Sequence, residues 1–367
     1  MFSRISTRTF STSAARAIKV STKAAVDSPV SSLKVVVKQA GSKSTPAGLS
    51  HLLASSAFLN TKSKSGLRLK REAELLGGSY KASVTRDALV LEATFLKEAL
   101  PFFVSALSSV LTETSFKPHE LDELVLPYAT HVARQAAECP ATKALEELHA
   151  VSFRRGLGQP LYYDGTKKYS SFDLATFAKA LFTSDNIEVV GQNVDKAALD
   201  KFVAESALSK LPESKNKTVA KPAQKIYTGV ESRIRQPGKT VAILGVPVSP
   251  ADIPSYELVA AAVYSAIPAS YNLSVKTNVL PYEEAGLYYI SFASEDASEV
   301  SDGLKKAAAA LKKASGAKLS QYKPLAGYLA AISGREADFS SAKTVKVPKF
   351  NLVVVGDVDT VPLAGEL

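Results

Sequence analysis

Thr45-Pro-Ala-Gly-Leu-Ser-His-Leu-Leu-Ala-Ser-Ser-Ala-Phe-Leu-Asn-Thr61 is the stretch on which the fold turns. Thr45 is a good N-cap and Pro46 suits a first helical turn, so His51 is expected on a short helix. Upstream, Lys34 to Val37 reads as a strand. Downstream, Ser65 caps a second helix whose Leu69, Ala73 and Leu76 share a face, and Gly77-Gly78 stops it. Tyr80, Ala82 and Val84 then alternate with Lys81, Ser83 and Thr85. Leu89, Leu91, Ala93 and Phe95 alternate again beyond a turn at Arg86-Asp87, which gives two antiparallel strands. Phe103, Leu107, Val110 and Leu111 mark a helix started at Pro101, and helical spacing continues over 118 to 138, 142 to 154 and 172 to 182. Ile187-Glu-Val-Val-Gly191 is another strand. Strand, helices, hairpin, helices, strand is an α+β order, not that of a doubly wound parallel sheet.

Residues 211–224 interrupt this periodicity with prolines, lysines and small polar residues and read as an interdomain linker. Beyond them, strands are expected at Lys225 to Tyr227, Val241 to Val246 and Asn351 to Val355, with helices near 252 to 266, 296 to 314 and 319 to 333. Leu352-Val-Val-Val-Gly-Asp-Val-Asp359 parallels Ile187-Glu-Val-Val-Gly-Gln-Asn-Val-Asp195, as two tandem copies of a similar fold would. The expected domains are therefore 18–210 and 225–367. A chain of 367 residues is long enough for two cores.

Apolar residues make up 46% and charged residues 22%, ordinary proportions for a globular protein. The best apolar run, Leu258 to Ile267, stops at Pro268, short of the ~18 residues that span a bilayer. Cys139 is the single cysteine, so no internal disulfide forms. The first 26 residues hold no acid and set Arg4, Arg8 and Arg16 among serines, the composition of a mitochondrial transit peptide. Cleavage is expected after Thr9 and then after Ala17. Removing the three leader arginines takes the formal charge from +10 to +7, which suits anionic lipid headgroups or acidic partners and is too diffuse for nucleic acid.

Several landmarks together resemble the family of the mitochondrial processing peptidases and other inverted zinc peptidases. They are Leu33-Lys-Val-Val-Val-Lys-Gln-Ala-Gly-Ser-Lys43, Ala57-Phe-Leu-Asn-Thr61, Glu74-Leu-Leu-Gly-Gly-Ser-Tyr-Lys-Ala-Ser-Val-Thr-Arg86, Leu148-His-Ala-Val-Ser-Phe-Arg-Arg-Gly-Leu-Gly-Gln-Pro160 and Val353-Val-Val-Gly-Asp-Val358. The resemblance implies two processing-peptidase-like domains, each a mainly antiparallel sheet packed with helices. It also implies that the His51 helix should carry His-x-x-Glu-His, two zinc ligands one turn apart around a general base. The sequence reads His51-Leu-Leu-Ala54-Ser55 instead, a methyl in place of the base and a hydroxyl in place of the second ligand. The family's distal Glu should fall in Val125 to Ala137, where there is no acid. His131 and His149 lack a spaced partner, so no metal site is expected, and His51 is read as a polar core residue with one hydrogen bond to backbone.

Other motifs dissolve in the same way. Gly238-Lys239-Thr240 has Arg233 where a phosphate loop needs Gly, which makes Gln236-Pro-Gly-Lys239 a turn. Lys305-Lys306 and Lys312-Lys313 end a helix that opens with Glu295, Asp296, Glu299 and Asp302, an order that complements its dipole. Tyr256 to Tyr289 has Gly286 as its only glycine, whereas the presequence-binding subunit of a processing peptidase carries a glycine-rich loop there. The likeness therefore favours the family's non-catalytic core subunits in respiratory complex III, with a presequence-binding processing-peptidase subunit as the alternative. What it implies is a peripheral subunit on the matrix side of the mitochondrial inner membrane, without cofactor. Its implied partners in a dimeric complex are core subunit 1, cytochrome b, cytochrome c1 and the Rieske subunit.

Overall fold

The computed structural model describes residues 18–23, 28–214 and 224–367. The expected cleavage points Thr9 and Ala17, and residues 215–223 of the expected linker, lie outside the described residues.

Strands β1 (Lys19–Lys23) and β2 (Val30–Lys38) open the chain. In β2 Leu33, Val35 and Val37 are buried and their neighbours half-buried, the period-two pattern of a sheet with one well-covered face. Helix α1 (Leu49–Ser55) follows, then α2 (Gly66–Leu75), where the Ser65 hydroxyl accepts from the Arg68 amide. At the far end of α2, Gly77 takes φ +65° and the Gly78 amide reaches back to the Ala73 carbonyl, as expected of a helix stop. The hairpin of β3 (Ser79–Val84) and β4 (Ala88–Leu96) comes next. Helix α3 (Leu100–Glu113) leads to α4 (Pro118–Glu120), which runs through a π-turn at Leu121–Val125 into α5 (Leu126–Glu138). Helices α6 (Pro140–Phe153) and α7 (Ser171–Leu181), strand β5 (Ile187–Gln192) and helix α8 (Lys196–Glu205) complete the first half.

The second half runs β6 (Glu231–Arg235), β7 (Thr240–Val248), α9 (Ile253–Ser265), β8 (Ser274–Pro281), β9 (Gly286–Ser294), α10 (Ala297–Ala314), α11 (Lys323–Ile332) and β10 (Asn351–Gly356). The two sheets have the orders β1-β5-β2-β4-β3 and β6-β10-β7-β9-β8. Counting β6 to β10 as a second set of five gives the same order twice. The directions agree as well: the first pair in each sheet is parallel and the others are antiparallel. The short internal repeat seen in the sequence is β5 against β10. The fold is thus α+β in two tandem, similar domains.

Three expectations need correction or completion. Thr45 does not cap α1. The helix starts at Leu49 after Gly48, which takes φ +79°, and the Thr45 hydroxyl instead pairs with that of Ser50 at 2.7 Å. Lys225 to Tyr227 is not a strand; it runs beside the end of α6, with the Tyr227 amide donating to the Ser152 carbonyl at 2.9 Å, and β6 begins at Glu231. The sequence reading also passed over β1, α8 and the β8–β9 hairpin, although Tyr288, Ile290 and Phe292 alternate as buried residues.

Each sheet packs one face on its own helices, β2 and β4 against α3 in the first half, and β7 and β9 against α9 and α10 in the second. The other face of the second sheet is covered from the first half of the chain. Ala144, Leu148 and Phe153 of α6 pack on Ile243, Leu287 and Val353 in a buried cluster. Gly245 of β7 makes room for it, since a Cβ there would lie 2.6 Å from both terminal methyls of Leu148. Truncating Leu148, which is fully buried, should therefore cost about 3 kcal/mol through the cavity left behind. Gly245→Ala alone should also destabilise, yet in the Leu148→Ala background its methyl should occupy the vacated space and recover part of the loss. A double-mutant cycle on the denaturation midpoints measures that coupling.

Candidate functional site

Helix α1 and the middle of α5 face each other across a cleft of about 430 Å³ that also touches the edge strand β3. His51, Ala54 and Ser55 line it from α1, Tyr128 and Val132 from α5, and Ala82, Ser83 and Val84 from β3. The two segments that the family resemblance assigns to metal binding do come together. What they bring is one imidazole, one methyl, one hydroxyl, one phenol and one isopropyl group.

The imidazole is engaged. The Tyr163 amide donates to His51 Nδ1 at 3.1 Å, which leaves the ring proton on Nε2, and Tyr162 meets the ring edge-on at 5.4 Å between centroids. Burial pushes the His51 pKa down to about 4. Ser55 donates its hydroxyl to the His51 carbonyl at 2.8 Å, the back-bond of a helical serine. Zinc in a hydrolase needs three nitrogen, sulfur or carboxylate ligands beside an open position. Neither Ala54 nor Val132 can donate, and Ser55 is a poor substitute for imidazole, so this donor set does not fit the ion. Among the described residues no group of three His, Cys, Asp or Glu is placed to hold a metal.

The remaining histidines lie elsewhere, and His119 is exposed on α4. His131 is exposed on α5. His149 is buried on α6, where Nδ1–H donates to the Leu145 carbonyl at 2.7 Å and Nε2 accepts from the Tyr282 hydroxyl at 2.7 Å. Burial, with the Arg86 charge nearby, drives its pKa down to about 3. Tyr282 sits in the turn between β8 and β9, so this bond ties the two halves together. A polar junction that the sequence did not announce surrounds it. Arg86, 4% exposed, donates to the Leu157 and Gln159 carbonyls and pairs with Glu146 at 2.6 Å. The buried Lys43 ammonium lies 2.7 Å from Asp87, 3.0 Å from Glu283 and 3.6 Å from Glu284. Burial opposes that charge, but bonds to Asp87 and Glu283 outweigh it and raise the Lys43 pKa. The only sequence signal was a charged pair in the Arg86-Asp87 turn.

Two expectations follow. Unfolded imidazoles take up protons near pH 6.5, whereas folded His51 and His149 stay neutral down to about pH 4 and about pH 3. Between pH 6.5 and 4 the unfolded state binds more protons, so stability should fall as pH falls, by several kcal/mol in all. Thermal midpoints taken across that window should show the slope, and it should be shallower in His51→Asn, which keeps an acceptor for the Tyr163 amide. Second, Ala54→Glu with Ser55→His should yield no cleavage of a presequence peptide, because the segment Val125 to Ala137 has no acid to serve as the distal Glu; turnover in a peptidase assay would contradict this.

The comparisons with known proteins agree with this geometry. The family described as insulinase, peptidase family M16, matches residues 19–165. The chain is 43% identical over 381 residues to the mitochondrial cytochrome b-c1 complex subunit 2 of Debaryomyces hansenii, covering 100% of both chains. It is 40% identical over 354 residues to the same subunit of Saccharomyces cerevisiae, covering 94% of this chain and 95% of the relative. In fold it is similar to the crystal structure of a peptidase M16 inactive domain from Pseudomonas fluorescens, with a TM-score of 0.70 at 13% identity over 94% of this chain and 96% of that one. The sequence landmarks, the doubled sheet and these full-length relatives lead to one placement: the chain belongs to the peptidase M16 family, among the relatives named mitochondrial cytochrome b-c1 complex subunit 2.

Proposed function

We propose that the chain is a non-catalytic structural core subunit of mitochondrial complex III, the assembly that passes electrons from ubiquinol to cytochrome c. The observation that carries this reading is the cleft between α1 and α5, where Ala54 and Ser55 stand in place of the base and second ligand that the resemblance implies, and α5 contributes Tyr128 and Val132 but no acid. A subunit kept for its surfaces needs rigid sheets and helices, and these do not depend on zinc. The relatives that match over their full length, named for that complex, support the same role.

In this reading the protein lies on the matrix side of the inner membrane. Its partner is core subunit 1, and the pair supports the cytochrome b, cytochrome c1 and Rieske subunits in a dimeric complex. No described helix is long and apolar enough to cross a membrane, which suits attachment through partners. Large apolar side chains left in solvent on α2, Leu67 at 68% and Leu75 at 86% exposed, suit burial against another subunit. A leader ending near Ala17 would carry the chain into the organelle.

The test is purification of the tagged protein from mitochondrial membranes in mild detergent, with absorbance spectra recorded before and after reduction. The expected result is b-type and c-type haem bands in fixed proportion to the tagged chain. A colourless preparation containing a partner with an intact His-x-x-Glu-His would instead make it a subunit of a processing peptidase.

A further inference from the structure

Beside the junction of the two halves lies a second cleft, of about 630 Å³, walled by the turn after α6, by Gln224 to Tyr227 and by the Lys43 region. We propose that this cleft binds a phosphate-bearing ligand through Arg154, with Arg155 and Lys225 adding charge.

The backbone supplies the first reason. Arg154 has φ +57° and ψ −51°, and the Arg155 amide donates to the Phe153 carbonyl at 2.6 Å. That is a classic γ-turn, a strained conformation that an arginine rarely adopts. The surroundings impose it. The Gln224 side chain lies over the turn, with its amide nitrogen donating to the Phe153 and Arg155 carbonyls at 3.3 and 3.0 Å and its oxygen accepting from the Leu157 amide at 3.2 Å. Gly156, at φ +64°, admits that oxygen where a Cβ would come within 2.4 Å of it. Strain held this firmly, in a cleft, is what a positioned binding group requires.

The side chain supplies the second. The Arg154 guanidinium carbon sits 4.0 Å from the centre of the Tyr227 ring. Stacking occupies a face of the guanidinium and leaves its in-plane N–H edge available, the fork that matches two oxygens of a phosphate. Arg154, Arg155 and Lys225 have no acidic partner among the described residues. Glu284 is the acid on the wall, and it lies 3.6 Å from Lys43, whose ammonium is also held by Asp87 and Glu283. Local charge, a pre-set guanidinium and a cleft large enough for a phosphorylated headgroup or phosphate ester converge on one ligand chemistry.

The decisive variant is Arg154→Gly, because glycine accepts the γ-turn without strain. It should raise the thermal midpoint by about 2 to 4 °C while lowering affinity for pyrophosphate, followed by calorimetry on the purified full chain, by roughly tenfold or more. Arg155→Ala should lower that affinity at unchanged midpoint, and Lys179→Ala, an exposed lysine on α7, should leave it unchanged. Flotation with phosphatidylcholine vesicles, with and without a fifth of anionic phospholipid, identifies the source. Arg154-dependent binding to the anionic vesicles assigns a lipid headgroup; pyrophosphate binding without vesicle binding assigns a soluble phosphate ester. If wild-type protein binds neither probe, or if Arg154→Gly binds both as the wild type does, the proposal is overturned.

Discussion

The structure depends on one packing contact, that of helix α6 against the second sheet. A sheet with an apolar inner face and an apolar outer face must cover both, and the second half of the chain supplies helices for only one. Leu148 and its neighbours cover the other from the first half, pressing close enough that β7 must carry Gly245. The two domains are therefore joined by a shared core, and the polar junction of Arg86, Lys43, His149 and Tyr282 forms around that apolar contact. A hinge built on a flexible linker would behave quite differently, since here relative movement of the halves would open a hydrophobic interior.

Much of this was legible in the residues. Alternation gave the β3–β4 hairpin, Gly77-Gly78 gave the end of α2, and the similarity of 187–195 to 352–359 announced the doubled sheet. Local chemistry failed where tertiary contacts overrode it. Thr45 has the chemistry of a cap, but Gly48 can take the left-handed turn that starts the helix, and Tyr163 packs directly against it. The stretch Lys225 to Tyr227 looked strand-like, yet it is bonded to the end of α6 and to the Asn351 side chain and joins no strand ladder. In the site, the absence of a base and a second ligand could be read directly from 54 and 55. That Val132 and Tyr128 turn toward them required the helix pairing, because an α5 without acids does not reveal which of its faces meets α1.

The histidines show how far burial decides chemistry. His51 and His149 are both neutral and both bonded, but as opposite tautomers: Nδ1 accepts in one and donates in the other. Neither ring is left to the solvent as a base poised near neutrality, and one of them fastens the two halves instead. In this chain imidazole chemistry serves the structure.

Strand β10 carries a consequence for how the protein is made. Its six residues are all buried, and it lies between β6 and β7, which precede it by more than a hundred positions. Until residues 351–356 are present, the second sheet remains two separate pieces, β6 alone and β7 with its hairpin. The cover that α6 provides then has an incomplete surface to rest on. The second sheet therefore cannot close until residues 351–356 join β6 to β7. A product that stops before residue 351 would lack a central strand, so the second domain closes only once β10 is in place.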